Sequence, residues 1–162
     1  MLNFIKAKNG MNIAGQGVWI LAATLPAAAG AVAIHMRAPG LAHIPLPENI
    51  SVPIGLALVI VGGVLWLSAV IQLLTGFSRG KLVTRGAYGV CRNPVYASFG
   101  LFVLPGLSLA TGTWVYFALA AVLCGAVYLL IGKEERDLLR VFGDEYRDYT
   151  RRVHRIIPFA KP

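Results

Sequence analysis

The sequence predicts an all-α integral membrane protein of about four transmembrane helices, with a C-terminal amphipathic helical tail. Three observations carry this expectation. Hydrophobic residues make up 57% of the 162-residue chain and the mean hydropathy is +0.68, more apolar than soluble domains, in which about half the residues are apolar. Four stretches approach the roughly 20 apolar residues that a helix needs to cross a bilayer. The basic segments, which play no part in drawing those stretches, all fall on one side of the resulting map.

The first span is expected from Ile13 to Met36, with Pro26 bending it and Ala23, Ala27 and Ala31 forming a small-residue stripe suited to close helix contact. The second runs from Val52 to Thr75. The third, from Tyr96 to Ala110, is short and interrupted by Pro105 and Gly106; Thr111, Gly112 and Thr113 then form a tight turn. The fourth runs from Trp114 to Gly132, so the last two spans make an antiparallel hairpin. Residues 1–162 read as one membrane domain: 1–76 carry the two N-terminal spans, and 77–162 a polar loop, the hairpin and the tail.

Charge placement orients the chain. Lys6 and Lys8 precede the first span; Arg79, Lys81, Arg85 and Arg92 lie between the second and third; Lys133, Arg136, Arg140, Arg147, Arg151, Arg152, Arg155 and Lys161 follow the fourth. The first loop has only Arg37 and Glu48, and the hairpin turn has none. This positive-inside pattern places both termini in the cytoplasm; the expected location is the inner membrane of a prokaryote. The formal net charge of +8 therefore reflects topology and anionic lipid rather than nucleic acid, for which no motif is present. Cys91 and Cys124 read as free thiols. No cleavable signal peptide is expected, because the first apolar run is too long. His35 and His43 in the first loop lack the partners of a metal site.

In the tail, Leu138, Phe142, Tyr146, Tyr149, Val153 and Ile156 recur at steps of three or four and share one helical face. Gly143 followed by Asp144 suggests a stop and a new N-cap, hence two short helices. Their apolar face is expected on the membrane or on the loop before the third span.

Two polar segments flank the hairpin, one from Leu82 to Tyr96 and one from Glu134 to Tyr149, and the hairpin brings them together. Glu134 and Glu135 read either as an exposed turn paired with Lys133 and Arg136, or as a ligand-facing dyad. Pro94 fits the first turn of the third helix with Asn93 as its N-cap, which leaves Arg92, Tyr88 and Tyr96 unexplained. An arginine beside a helix N-terminus suits a carboxylate or phosphate.

The run Leu82-Val83-Thr84 with Gly86 and Tyr88, then Arg92, Pro94 and Tyr96, then Glu134-Glu135, and Phe142-Gly143 with Glu145, Tyr146 and Tyr149, resembles the isoprenylcysteine carboxyl methyltransferase family, which is grouped with membrane phospholipid methyltransferases. The resemblance covers Lys81 to Pro158. It implies S-adenosylmethionine as cofactor, held at the cytoplasmic face by the C-terminal half. Asn93 stands where the family has histidine, Ala87 where proline is common, and His154 where a proline often follows the valine at Val153. Carried over, the resemblance makes Tyr88, Arg92, Asn93, Pro94, Tyr96, Glu134, Glu135 and Tyr146 cofactor-binding, with Arg152 and Glu135 catalytic. Glu134 or Glu135 would meet the cofactor's ammonium and ribose hydroxyls, and Arg92 or the helix start its carboxylate. The tyrosines would face the sulfonium or adenine, and Arg152 would orient an acidic acceptor. The expected partners are the bilayer and a lipophilic acceptor. Two rival readings are a nicotinamide-dependent membrane reductase and a non-enzymatic scaffold packing through the alanine stripe.

Overall fold

The computed structural model describes residues 17–78 and 80–160, without the side chains of Phe77 and Ser78. The expectations for Lys6, Lys8, Arg79, Lys161 and the start of the first span at Ile13 lie outside the described residues. Helix α1 is Gly17–Arg37, and one helix runs through Pro26 without a break. A 3₁₀ turn, Pro39–Ala42, leads to α2, Glu48–Ser78, which extends beyond the expected second span at both ends.

After the short α3, Ala87–Val90, the third span is built in three pieces: α4, Pro94–Ala97; a π-helical stretch, Ser98–Val103; and α5, Leu104–Thr111. Together, Pro94–Thr111 forms one 18-residue apolar helix. Pro105 therefore does not interrupt it. The proline sits in the first turn of α5, directly after the widened stretch, where the register shift absorbs its missing donor. The hairpin turn follows at Gly112, which is left-handed at φ 65°. Helix α6 is Val115–Leu130, α7 Gly132–Phe142 and α8 Asp144–Thr150. Three described helices are long and apolar enough to cross a membrane, and α6 with α7, bent by 44°, makes a fourth candidate.

The hairpin is the centre of the bundle. Helix α1 packs on α6, while α2 packs along the third span. Glycine makes the second contact close: a Cβ on Gly55 would lie 2.5 Å from the Gly106 carbonyl oxygen, and one on Gly62 would lie 2.8 Å from the Phe102 Cβ. Such backbone approach is the usual source of packing energy between helices in lipid. The alanine stripe is only partly used, with Ala31 buried, Ala27 half-buried and Ala23 exposed. Outward faces carry Leu25, Ile60, Val64, Leu67 and Leu129, all more than half exposed, as lipid-facing surfaces require.

The two ends of the bundle differ. At one, the first loop pairs with the hairpin turn: the Ile44 N–H donates to the Gly112 carbonyl (2.8 Å) and the Trp114 N–H to the Ala42 carbonyl (3.0 Å). At the other, the tail folds back over the loop before the third span. Gly143 ends α7 and also caps α8, so Asp144 is the first residue of α8 rather than its cap. Tyr146 and Tyr149 are buried, and the Tyr149 hydroxyl donates to the Tyr88 carbonyl at 2.6 Å.

Candidate functional site

Glu135 organises the charged end. It lies in the first turn of α7 with Glu134. The helix restarts there after the 44° bend, so both acids stand near a helix N-terminus, the end that favours negative charge. Glu135 Oε1 accepts from Arg92 Nη2 at 3.0 Å and from Arg155 Nε at 3.1 Å, and Oε2 accepts from Arg155 Nη2. The side chains of Arg92 and Glu135 are 11% and 15% exposed, so this is a largely desolvated set of charge-assisted contacts rather than a solvated surface bridge.

Arg92 also ties the tail to the loop. Its Nη1 donates to the carbonyls of Thr150 (3.0 Å) and Val153 (3.3 Å). The backbone N–H groups of Arg92 and Asn93 donate to His154 (2.8 Å) and Arg155 (3.1 Å). Asn93 begins α4, but its side chain does not cap the helix. Its Nδ2 donates to the Arg155 carbonyl at 3.0 Å instead, because the tail segment lies across that face. His154 makes the next turn with its ring, Nδ1 accepting the N–H groups of Ile156 and Ile157 (3.3 and 3.0 Å). The Phe159 N–H closes the strap on the Val90 carbonyl at 3.0 Å.

Around this cluster the polar groups are held neutral. Burial, then the nearby Glu134 charge, pushes the Tyr88 phenol well above its ordinary value. Burial and then Glu135 do the same for Tyr146. Burial pushes the Cys91 thiol up to about 11. The hydrogen bonds to Glu135 raise the Arg155 guanidinium further, and that group stacks on Tyr128, 5.5 Å from the ring centre.

The structure thus brings together Tyr88, Arg92, Asn93, Pro94, Glu135 and Tyr146, with Glu134 electrostatically close to Tyr88, Tyr96 and Tyr146. Arg152 stands apart: it is exposed, and its Nε donates to the Asp148 carbonyl at 3.2 Å. Two residues went unnoticed in the sequence. Arg155 is one of many tail arginines, and nothing in the pattern marks it. Gln72 did carry a signal, as an amide in an apolar span. Its Oε1 accepts the Ala87 N–H at 3.1 Å and its Nε2 donates to Ser68 at 2.8 Å. Gly86, at φ 63°, leaves room for it, since a Cβ there would lie 2.4 Å from the Gln72 amide.

Tyr96, in the first turn of the third span, joins this cluster to an apolar cleft of about 390 Å³ between α1, the third span and α6. Ile20, Thr24, Phe99 and Leu123 are among its walls. The Thr24 hydroxyl donates to the Ile20 carbonyl of its own helix at 2.9 Å, which satisfies it within α1.

Lipid-facing helices around a screened ionic cluster, set where the bundle meets its charged end and continuous with an apolar cleft, define an integral membrane protein with an interfacial polar site. The sequence pattern of the phospholipid methyltransferases matches residues 50–145, more than half of the chain, and the chain belongs to that family. It is similar to methanethiol S-methyltransferase 1 of Bradyrhizobium diazoefficiens, 35% identical over 46% of this chain and 25% of that protein. It is also similar to protein-S-isoprenylcysteine O-methyltransferase of Mus musculus, 36% identical over 49% of this chain and 28% of that protein. A probable protein-S-isoprenylcysteine O-methyltransferase of Oryza sativa subsp. indica is 30% identical over 67% of this chain and 61% of that protein. The chain therefore spans less than two thirds of the length of each of these relatives.

Proposed function

We propose that the protein is a membrane-embedded methyltransferase that uses S-adenosylmethionine and methylates a lipophilic or small acceptor. The observation that carries this reading is the Arg92–Glu135–Arg155 cluster, joined through Tyr96 to an apolar cleft, in a chain of the phospholipid methyltransferase family. The residues fit the cofactor. Arg92 Nε is buried without an acceptor among the described residues, a donor suited to a carboxylate. Glu134 supplies negative charge beside Tyr88, Tyr96 and Tyr146, a setting that favours an ammonium and a sulfonium.

Arg92, Asn93 and Pro94 with Tyr88, Tyr96 and Tyr146 form the proposed cofactor wall. Glu135, with both oxygens taken by arginines, holds that wall in place and fixes the tail across it. When bound, S-adenosylmethionine would supply an electrophilic methyl group, and these residues would hold its sulfonium in line with the acceptor. Such a reaction needs alignment and exclusion of water more than a strong acid or base. The buried tyrosines and the folded-back strap meet that need. Arg152, exposed and apart from this cluster, would steer an acidic acceptor.

Both termini are cytoplasmic in this reading, because Lys81, Arg85 and the tail cations share one end of the bundle. A reporter fused to the C-terminus and assayed for cytoplasmic activity tests the orientation. The activity is tested by titrating the purified protein with S-adenosylmethionine and with NADPH. Labelled methyl transfer is then followed into methanethiol, a prenylcysteine analogue and a total lipid extract. Binding of NADPH alone, with no transfer to any acceptor, would overturn the proposal.

A further inference from the structure

We propose that Arg155 is a positioning residue: by taking both oxygens of Glu135 it keeps that carboxylate from closing on Arg92, and so leaves Arg92 Nε free for the carboxylate of the cofactor. This inference rests on the methyltransferase reading and names what prepares the amino-acid end of its cofactor site.

Glu135 is shared unequally. Arg155 grips it side-on, with Nε on Oε1 at 3.1 Å and Nη2 on Oε2, the two-pronged geometry common to arginine and carboxylate. Arg92 reaches the same carboxylate with Nη2 alone, on Oε1 at 3.0 Å. Its Nε, on the same edge of the guanidinium, is buried and meets no acceptor among the described residues. The other side of that guanidinium is fixed, because Nη1 donates to the Thr150 and Val153 carbonyls. With Oε2 taken by Arg155, Glu135 has no second oxygen to offer Arg92 Nε. A buried charged donor left open is costly, so a ligand anion is its natural acceptor.

Arg155 is itself held where this role requires. Its carbonyl accepts the Asn93 N–H at 3.1 Å and Asn93 Nδ2 at 3.0 Å, and its guanidinium stacks on Tyr128, 5.5 Å from the ring centre. Main chain and ring thus aim the fork at Glu135 before any ligand arrives. Glu135 lies in the first turn of α7, so its backbone is fixed and its side-chain torsions are what can turn. Without the Arg155 fork, the best remaining partner for the carboxylate is the Nε–Nη2 edge of Arg92. Arg92 would then be satisfied within the protein and would lose its donor for the cofactor. The neighbouring tail arginines Arg147 and Arg151 are engaged elsewhere, with Asp144 and Asp148, on exposed faces.

Ligand binding to the full chain in lipid nanodiscs provides the test, with two probes. S-adenosylhomocysteine carries the amino-acid carboxylate; methylthioadenosine has the same adenosine and thioether and lacks it. Arg155→Ala is expected to weaken S-adenosylhomocysteine about tenfold or more, the usual worth of a hydrogen bond to a charged group, and methylthioadenosine by less than about twofold. Arg155→Lys, which keeps the charge and lacks the fork, is expected to show the same selective loss. Arg151→Ala, which removes an exposed tail charge, is expected to leave both affinities unchanged. The most telling variant adds Glu135→Gln to Arg155→Ala. The amide offers a single oxygen and no charge, so Arg92 Nε is released. Affinity for S-adenosylhomocysteine is expected to recover about threefold or more over Arg155→Ala alone, whereas a merely structural role would give a second loss. Retained methylthioadenosine binding shows that each variant is folded. Equal weakening of both probes, or no recovery in the double variant, overturns the role of Arg155 and leaves the methyltransferase reading standing. An unsubstituted chain that binds neither probe overturns both.

Discussion

At the scale of single residues, Glu135 carries the most. One carboxylate takes hydrogen bonds from two arginines that come from different segments, and removing it would leave both guanidinium groups close together in a poorly solvated space. Glu135→Ala is therefore expected to lower stability by about 3 kcal/mol, the usual cost of stripping one partner from a buried charge pair. Thermal unfolding in detergent measures this, and a loss under about 0.5 kcal/mol would show that water already screens the cluster. Arg152 offers the opposite case. It is exposed, and its side chain donates to the Asp148 carbonyl one turn back in the chain, so Arg152→Ala should change stability by less than about 0.5 kcal/mol. If it steers an acidic acceptor, the same substitution lowers kcat/KM for a carboxylate acceptor about tenfold while leaving a thiol acceptor's unchanged. An equal effect of the substitution on both acceptor types would remove Arg152 from the mechanism. The replacement of the family histidine by Asn93 also has a physical account: its amide donates to the Arg155 carbonyl, a bond that fastens the tail and not the helix.

At the scale of elements, the close approach of α2 to the third span depends on missing side chains. A Cβ on Gly62 would meet Val103 at 2.7 Å and Phe102 at 2.8 Å, whereas the space around Gly63 is open. Gly62→Ala is expected to destabilise the protein by about 1–3 kcal/mol through overpacking. Gly63→Ala, one residue on, should be neutral or slightly stabilising, since alanine favours the helix. Denaturation of the two variants side by side distinguishes a contact-forming glycine from a merely permitted one. This interface was not legible from the sequence, where the alanine stripe of the first span drew attention instead. Both helices are apolar all round, so hydropathy does not mark which face meets a neighbour. By contrast, the two tail helices and the hairpin turn were readable, because Gly143 and the Thr111–Gly112–Thr113 step impose local backbone geometry that needs no tertiary partner.

At the scale of the whole molecule, the charged end is a dry assembly of loop, hairpin and tail, and its response to pH follows. Cys91, Tyr88, Tyr146 and Tyr149 are all raised by burial. Each holds its proton more tightly folded than unfolded. Their stabilising share is complete below the unfolded values, near 9 for the thiol and 10 for the phenols, and is lost as pH climbs through the folded ones. The thermal midpoint is thus expected to fall steadily from about pH 9 upward, starting with the thiol whose folded value is about 11. Cys91→Ala should delay the onset towards about pH 10, where the phenols take over. A midpoint flat to about pH 11 would mean that solvent reaches these groups.

The sequence by itself determined the helical membrane class, the approximate spans, the split tail and the family, because hydropathy and local motifs are properties of consecutive residues. It also brought the two polar segments together, since a hairpin joins its own ends. Only the tertiary structure decided that α1 belongs with α6 and α2 with the third span, that Arg155 completes the clamp on Glu135, and that an apolar cleft lies beside Tyr96. Those facts depend on which surfaces meet across long separations in the chain. Among many similar apolar faces and many similar arginines, only packing in three dimensions makes that choice.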